Sequence, residues 1–246
     1  MIKYYVRTTL DRTLDESYKQ IEYQMLIDKE HRFIDSFIDQ LKQISDTDSV
    51  LLEDDLELCF DFKKRIEDVI RKYPDRIINF FTIPKIYFTT RETEWFVYNQ
   101  CTYYPKGMAL KVAQEMEKLR TPDINQYDTL EDMALKSLGM SHIVYRPCLV
   151  QHLNFDTLIN NTVGDKRRTP FYIEYLNELK FNYNKITKMH YGILNRKLNE
   201  HIAIKYSQWL KNQNKPKDNA KEIAATEVKP KKKRTTKKKE EGEASD

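Results

Sequence analysis

Three consecutive carboxylates, Glu53-Asp54-Asp55, directly follow the apolar segment Val50-Leu51-Leu52. Adjacent negative charges repel one another and cost stability unless a positive group compensates them. The apolar segment is typical of a short buried strand, which would place the carboxylates at the carboxyl edge of a sheet, where open α/β folds bind ligands. Carboxylate oxygens suit Mg²⁺ or Mn²⁺, particularly when substrate phosphates complete the coordination. A solvated acidic turn that caps the next helix is the alternative interpretation.

A second polar element follows a predicted strand at residues 142–145 and ends in an imidazole. It reads Tyr145-Arg146-Pro147-Cys148-Leu149-Val150-Gln151-His152. An imidazole beside oxygen ligands slightly favours Mn²⁺ over Mg²⁺. The alternative interpretation of a single histidine is a packed or surface residue.

The two elements together resemble those of glycosyltransferases with the GT-A fold. In that family an apolar strand runs into an Asp-x-Asp-type motif, often Glu-Asp-Asp, and a Pro-Ser-Leu-Val-Gln-His element occurs in several members; here Cys148 stands in place of the Ser. The resemblance covers about residues 1–175. It implies that Asp55 and His152 bind a metal ion, Mn²⁺ or Mg²⁺, that bridges the donor diphosphate. It also implies that Glu53 and Asp54 face the donor.

The resemblance extends to a helix that precedes the second element. In similar sequences an acidic residue opens a helix that ends at a Gly, eight residues before the Pro, and here these positions are Asp128, Gly139 and Pro147. Asp128 is therefore the predicted general base that takes the proton of the acceptor hydroxyl, and Asp132, one turn later, is the alternative. An ordinary helix N-cap is an equally good interpretation of Asp128.

Four further residues are candidate contacts to the donor. Arg7 and Arg12 lie in the predicted loop after the first predicted strand, where GT-A enzymes receive the nucleotide, and Arg168 lies in a basic loop at residues 165–169. A guanidinium suits a diphosphate because its parallel N–H groups match the phosphate oxygens. Asp28, at the end of the second predicted strand, could meet the base or ribose. Each of the four could equally be a surface residue.

An aromatic stretch at residues 94–105 is the candidate lining of the sugar and acceptor side. The family that the sequence resembles often has an aromatic residue, a Gln and a Tyr-Pro pair in this region, and here these are Trp95, Gln100 and Tyr103 with its neighbours. Aromatic faces stack well on sugars and bases. Core packing is the alternative interpretation, above all for Trp95.

Strands and helices alternate through the first 145 residues, which predicts an α/β fold with a mainly parallel, GT-A-like sheet flanked by helices. The predicted catalytic domain spans residues 1–175, and a helical extension at 176–212 is expected to pack on it. Strands are predicted at 2–6, 23–27, 50–52, 77–83 and 142–145, and helices at 14–21, 30–44, 60–72, 105–119, 128–138, 170–180 and 185–211.

The remaining residues, 213–246, form a predicted disordered Lys-rich tail that carries all of the excess charge. Residues 215–246 contain 11 Lys or Arg and 7 Asp or Glu, a net of +4 that equals the formal net charge of the whole chain. The predicted folded part is therefore neutral. The tail is a plausible tether to DNA, with salt-sensitive affinity and no sequence preference. A solubilising or partner-binding extension is the alternative.

Other features favour a cytoplasmic protein. The three cysteines are far apart and odd in number, as is typical of reduced thiols, and residues 1–6 lack the apolar stretch of a signal peptide. No apolar run is long enough to span a membrane.

These observations together predict a metal-dependent glycosyltransferase that uses a nucleotide-sugar, typically a UDP-sugar. The candidate acceptors are hydroxymethylated bases in DNA, as in small phage enzymes of this kind, a glycan, or a protein or small molecule. A metal-dependent nuclease that uses the same carboxylates and a non-catalytic DNA-binding protein are the rival hypotheses.

Overall fold

Strands and helices alternate along the part of the chain that the computed structural model describes, residues 1–82, 89–96, 98–153, 169, 171–178 and 180. The strands are β1 Lys3–Thr8, β2 Tyr23–Ile27, β3 Ser49–Glu53, β4 Leu56–Leu58, β5 Ile78–Asn79, β6 Arg91–Thr93, β7 Cys101–Tyr104, β8 His142–Val144 and β9 Val150–His152. The α-helices are α1 Ile34–Gln43, α2 Phe62–Lys72, α3 Met108–Leu119, α4 Tyr127–Ser137 and α5 Ile173–Glu178, and a 3-10 helix spans Glu16–Gln20.

The main sheet is mixed, with seven strands among the described residues in the order β2-β1-β3-β7-β5-β8-β6. Strand β1 pairs in parallel with both β2 and β3, and β5 pairs in parallel with β8. Strand β7 is antiparallel to β3 and to β5, and β6 is antiparallel to β8. The predicted α/β class is confirmed, and the three parallel pairings sit beside three antiparallel ones.

The main sheet is buried on both faces, which explains the uninterrupted apolar segment in β3. Val50 and Leu52 point into one core cluster with residues of α2, while Leu51 points into a second cluster with residues of α1, α3 and α4. All three side chains are fully buried. A strand covered on both faces needs apolar residues at every position rather than at alternate positions.

A small second sheet consists of β4 and β9, paired antiparallel. The 3-10 helix is fastened beside it, because the Ser17 hydroxyl accepts a 2.9 Å hydrogen bond from the amide of Leu58. The side-chain oxygen of Gln20 accepts a 3.3 Å bond from the amide of Phe62. These bonds tie the segment after β1 to the segment after β3.

The predicted elements are largely present, with boundaries that shift by a few residues. The prediction for β2, residues 23–27, matches the strand Tyr23–Ile27. The helix predicted at residues 60–72 begins two residues later than expected, since α2 starts at Phe62 and the Phe60 side chain is 69% exposed. Helix α3 begins at Met108, after Gly107 rather than at Pro105. The sequence prediction missed the short strands β4, β6, β7 and β9.

The described residues belong to a compact unit, Met1–Ala203, and a second unit, Ile204–Asp246, lies outside them. Of the predicted extension at 176–212, only 176–178 and 180 are described, and the predicted helix at 185–211 and the tail at 213–246 lie outside the described residues. The three cysteines are free and buried. Within the described ranges, no helix has the length and apolar character that a bilayer span requires.

Candidate functional site

The candidate site lies where the order of the strands reverses. The chain passes from β1 to β2 on one side and then crosses to β3 on the other side of β1. Because both pairings are parallel, the carboxyl ends of the three strands, at Thr8, Ile27 and Glu53, meet at one edge of the sheet. In open α/β sheets such a reversal leaves a crevice that binds ligands.

Two carboxylates and an imidazole converge at this edge. Glu53, Asp55 and His152 each offer one ligand atom, and these atoms lie within 4.8 Å of one another. Nε2 of His152 is 3.5 Å from Oδ2 of Asp55. The structure thus brings together the predicted metal ligands, Asp55 and His152, and adds Glu53, which the sequence prediction had assigned to the donor.

Backbone pairing explains why these residues meet. Strand β3 ends at Glu53, the chain turns through Asp54 and Asp55, and β4 begins at Leu56. His152 is the register partner of Leu56 across the β4–β9 pair, and the amide of residue 153 donates a 2.8 Å hydrogen bond to the Asp55 carbonyl. The hydroxyl of Tyr18, in the 3-10 helix, donates to the Glu53 carbonyl and fixes the end of β3.

The cluster is buried, and its ligand chemistry fits a divalent cation. His152 is 1% exposed and Asp55 is 8% exposed. Burial raises the pKa of Glu53, the charge of Asp55 raises it further, and Arg7 and His152 act in the opposite direction. Oxygen ligands with one imidazole suit Mn²⁺ or Mg²⁺. A cation would also relieve the repulsion between the carboxylates.

Arg7 is held inside the protein beside Glu53. Its guanidinium stacks on the rings of Phe37 and Tyr127, at 4.5 and 4.3 Å from their centroids, and its Nε donates a 3.0 Å hydrogen bond to Gln40. Its Nη1 lies 3.9 Å from Oε1 of Glu53, which also accepts from the Tyr127 hydroxyl. Arg7 was predicted to lie in a loop and contact the donor, but it belongs to β1 and is the charge partner of Glu53.

Arg12 contacts the other two carboxylates. Its Nη1 lies 3.4 Å from Oδ1 of Asp54 and forms a close ion pair with Oδ2 of Asp55. Its side chain is 20% exposed. Of the predicted donor-binding arginines, Arg12 is therefore the one that the structure puts at the mouth of the carboxylate cluster, while Arg168 lies outside the described residues.

Helix α4 starts at the cluster. The hydroxyl of its first residue, Tyr127, donates a hydrogen bond to Glu53. Asp128 directly follows Tyr127 in the chain. Asp128 is the second residue of the helix and not its N-cap, which is Gln126. The alternative candidate, Asp132, accepts bonds from the amide of Phe96 at 2.8 Å and from Lys136 at 2.6 Å. These contacts give Asp132 a structural role, in which it anchors the backbone at Phe96.

Asp28 has a structural role at the start of α1. Its two carboxylate oxygens accept hydrogen bonds from the amides of Arg32, at 3.1 Å, and Phe33, at 2.9 Å. The side chain is 8% exposed. The structure therefore places Asp28 at the predicted edge of the sheet, with both oxygens engaged in shaping the loop before the helix.

The three predicted acceptor-side residues lie in different places. Gln100 is buried next to the site, since its carbonyl accepts a 3.0 Å bond from the amide of Glu53, and its Oε1 has no hydrogen-bond partner among the described residues. Tyr103 points to the opposite end of β3, where its hydroxyl donates to the Pro74 carbonyl at 2.9 Å. Trp95 is 46% exposed in the segment after β6.

Sequence reasoning missed Glu131, which is fully buried behind the site. It accepts hydrogen bonds from the hydroxyl of Tyr104 and the amide of Asn99, both at 2.5 Å. Burial raises the pKa of Glu131 to about 8, against the hydrogen bond from Tyr104 and the charge of Arg7. The position of Glu131 could have revealed its burial, because it follows Tyr127 by four residues and so lies on the buried face of α4 with Leu130 and Ala134.

The arrangement can hold a divalent cation against a buried imidazole and present an arginine to an anion at the same edge. Neither a protein-family model nor a curated protein matches this chain. A cation with open positions next to an arginine is suited to binding and polarising a phosphate or diphosphate.

Proposed function

We propose that this chain is a metal-dependent glycosyltransferase of the GT-A type, which transfers a sugar from a nucleotide-sugar to a hydroxyl acceptor. The observation that carries the proposal is the convergence of Glu53, Asp55 and His152 within 4.8 Å at the strand-order reversal. The sequence elements that resemble the family are the ones that contribute these three residues.

Asp55 and His152 would hold the cation, Mn²⁺ or Mg²⁺, and Glu53 would complete the set. When bound, the cation would neutralise charge on the departing diphosphate. Asp54 lies next to these ligands and shares Arg12 with Asp55. Asp54 and Arg12 are therefore placed to contact the polar part of the donor.

Asp128 is the proposed base for the acceptor hydroxyl. It lies in the first turn of α4, and the preceding residue, Tyr127, is hydrogen-bonded to Glu53. A carboxylate near the reacting centre can accept the proton that the attacking hydroxyl loses. Gln100 is the proposed contact to a sugar hydroxyl, because its buried side-chain oxygen is available next to Glu53.

The proposed acceptor is a hydroxymethylated base in DNA. This part of the proposal is supported by the composition of residues 215–246, whose basic excess suits a polyanion. A base within a duplex has to be turned out of the stack before its hydroxyl can be reached, and single-stranded DNA avoids that cost.

A donor screen tests the proposed function. The purified protein is incubated with Mn²⁺ and a panel of UDP- and GDP-sugars, with and without hydroxymethylated DNA, and release of free nucleotide is measured. We expect release from one donor, stimulated by that DNA. Nucleotide release that DNA does not stimulate would support a transferase whose acceptor is a glycan or another molecule. Absence of donor binding and release in a folded protein would overturn the proposal, and strand cleavage in the same samples would indicate a nuclease.

Substitution of the ligands tests the metal site directly. Asp55→Asn and His152→Ala should each lower Mn²⁺-dependent nucleotide release by at least about 100-fold, because a cation ligand is lost. Asp68→Asn is the matched control, since Asp68 is an exposed carboxylate that pairs with Lys64 and Arg71 on α2. Full activity in either ligand variant, with circular dichroism like that of the unmodified protein, would show that the metal site is wrong.

A further inference from the structure

We propose that Arg12 is a built-in counter-cation of the carboxylate cluster, which competes with the divalent cation until a nucleoside diphosphate draws the guanidinium away. Arg12 would then couple cation binding to donor binding. This inference rests on the proposed function, because it assumes that Asp55 and His152 hold the cation.

Arg12 and His152 both lie beside the same oxygen atom of Asp55. Nη1 of Arg12 forms its close ion pair with Oδ2 of Asp55, and the same Oδ2 is the atom that lies 3.5 Å from Nε2 of His152. A cation held between Asp55 and His152 meets the guanidinium at that oxygen. Two positive groups at one carboxylate oxygen repel each other, so each weakens the binding of the other.

The way in which the two arginines are held differs, and only Arg12 is suited to move. Arg7 is stacked between two aromatic rings and bonded to Gln40 inside the core. Arg12 belongs to the segment between β1 and the 3-10 helix, and its side chain is partly exposed. Its contacts with Asp54 and Asp55 are ion pairs, which a bound anion can replace.

A diphosphate offers Arg12 the same chemistry that the carboxylates offer. Phosphate oxygens accept paired, charge-assisted bonds from a guanidinium as carboxylate oxygens do. Transfer of Arg12 from Asp55 to a phosphate leaves Oδ2 of Asp55 for the cation. Since coupling between two ligands is reciprocal, the nucleotide then raises the affinity for the cation as much as the cation raises the affinity for the nucleotide.

The experiment measures Mn²⁺ binding by electron paramagnetic resonance, with and without UDP, in the full-length protein, Arg12→Ala, Arg12→Lys and Arg71→Ala. Without UDP, Arg12→Ala should bind Mn²⁺ about tenfold more tightly, because a charge-assisted competitor is removed. UDP should raise the Mn²⁺ affinity of Arg12→Ala by a smaller factor than it raises the Mn²⁺ affinity of the unmodified protein. Arg12→Lys keeps the positive charge, so without UDP it should bind Mn²⁺ less tightly than Arg12→Ala does. Arg71→Ala removes an exposed ion pair on α2 and is the control that should bind Mn²⁺ as the unmodified protein does.

Asp55→Asn separates the two ways in which the inference can fail. If Asp55→Asn does not weaken Mn²⁺ binding, the proposed cation site is wrong, and the inference about Arg12 is then also wrong. If Asp55→Asn weakens Mn²⁺ binding while folded Arg12→Ala binds no more tightly than the unmodified protein, only the inference is wrong. Arg12→Gln provides a second neutral variant if Arg12→Ala does not fold.

Discussion

Each acidic side chain at the candidate site has a polar or charged partner. Glu53 has Arg7 and the Tyr127 hydroxyl, while Asp54 and Asp55 share Arg12. Behind them, Glu131 has the Tyr104 hydroxyl and the Asn99 amide. A buried carboxylate without such partners is costly, so these contacts stabilise the cluster.

Glu131 should make the stability of the protein depend on pH. Burial raises its pKa from the ordinary value of 4.5 to about 8. Between these values the folded protein keeps a proton that the unfolded chain has released, so the free energy of unfolding falls as the pH rises. Glu131→Gln removes this titration, and relative to the unmodified protein it should gain on the order of a few kcal/mol between pH 5 and pH 9.

Urea denaturation at pH 5, 7 and 9 measures this difference. Glu117→Gln on α3 is the control, because that glutamate is half-exposed and pairs with Lys42 at the surface. Comparison at each pH cancels the titrations that all variants share, including that of His142, whose pKa burial lowers to about 4. A constant difference between Glu131→Gln and the unmodified protein would show that Glu131 does not titrate in this range.

At the residue scale, the sequence predicted which side chains converge better than it predicted the contacts that each of them makes. Asp55 and His152 do converge, because β4 pairs with β9, although the sequence predicted neither of these strands. The roles of Asp28 and Tyr103 could not be anticipated, since their contacts, to the loop before α1 and to Pro74, depend on the path of the backbone. Glu131 was missed because a glutamate on a helix is usually exposed.

At the scale of elements, α4 begins at Tyr127, which contacts the cluster through Glu53. The carboxyl end of this helix has a defined cap. Gly139 has φ of +63°, its amide donates to the carbonyl of Lys136, and the amide of Met140 donates to that of Leu135. This bonding pattern is the Schellman motif, which favours glycine because its second-to-last position needs a left-handed backbone.

Replacing this glycine should destabilise the protein through the backbone alone. A Cβ at residue 139 would meet nothing within 4 Å, so Gly139→Ala introduces no clash, only the left-handed conformation of a residue with a side chain. The expected cost is about 1 kcal/mol, measured by urea denaturation at neutral pH. Gly139→Asn should cost less, because Asn tolerates this conformation. Equal stability of Gly139→Ala and the unmodified protein would contradict the expectation.

The elements that periodicity predicts well are the long ones. Helices α1 to α4 and strands β1 to β3 follow from apolar spacing, because each has enough residues to show a period. Strands β4, β6 and β9 have three residues each, too few for a pattern. Strand β7 was taken as part of an aromatic lining, and its antiparallel pairing with β3 and β5 depends on partners far away in the chain.

At the scale of the whole molecule, charge is unevenly distributed along the chain. Residues 215–246 carry a net of +4, and the remainder is formally neutral. Attraction to a polyanion should therefore depend on the tail, while donor chemistry depends on residues of the first unit. The two activities should be separable by truncation.

Deletion of residues 215–246 should leave Mn²⁺-dependent donor hydrolysis unchanged and weaken binding to DNA at low salt. The slope of the logarithm of DNA affinity against the logarithm of salt concentration should also become shallower, because fewer phosphates are neutralised. A full-length variant with Gln at every Lys and Arg of residues 231–239 separates charge from length. Unchanged DNA affinity in both variants would show that the tail does not bind DNA.

The pairing of β4 with β9 also has a consequence for synthesis. The carboxylates of Glu53 and Asp55 leave the ribosome long before His152, yet all three are needed in one place. A nascent chain carries the acidic half of the site without the strand that completes it. Capture of the proposed cation would therefore coincide with the completion of the domain, and prematurely terminated chains are expected to be inactive rather than partly active.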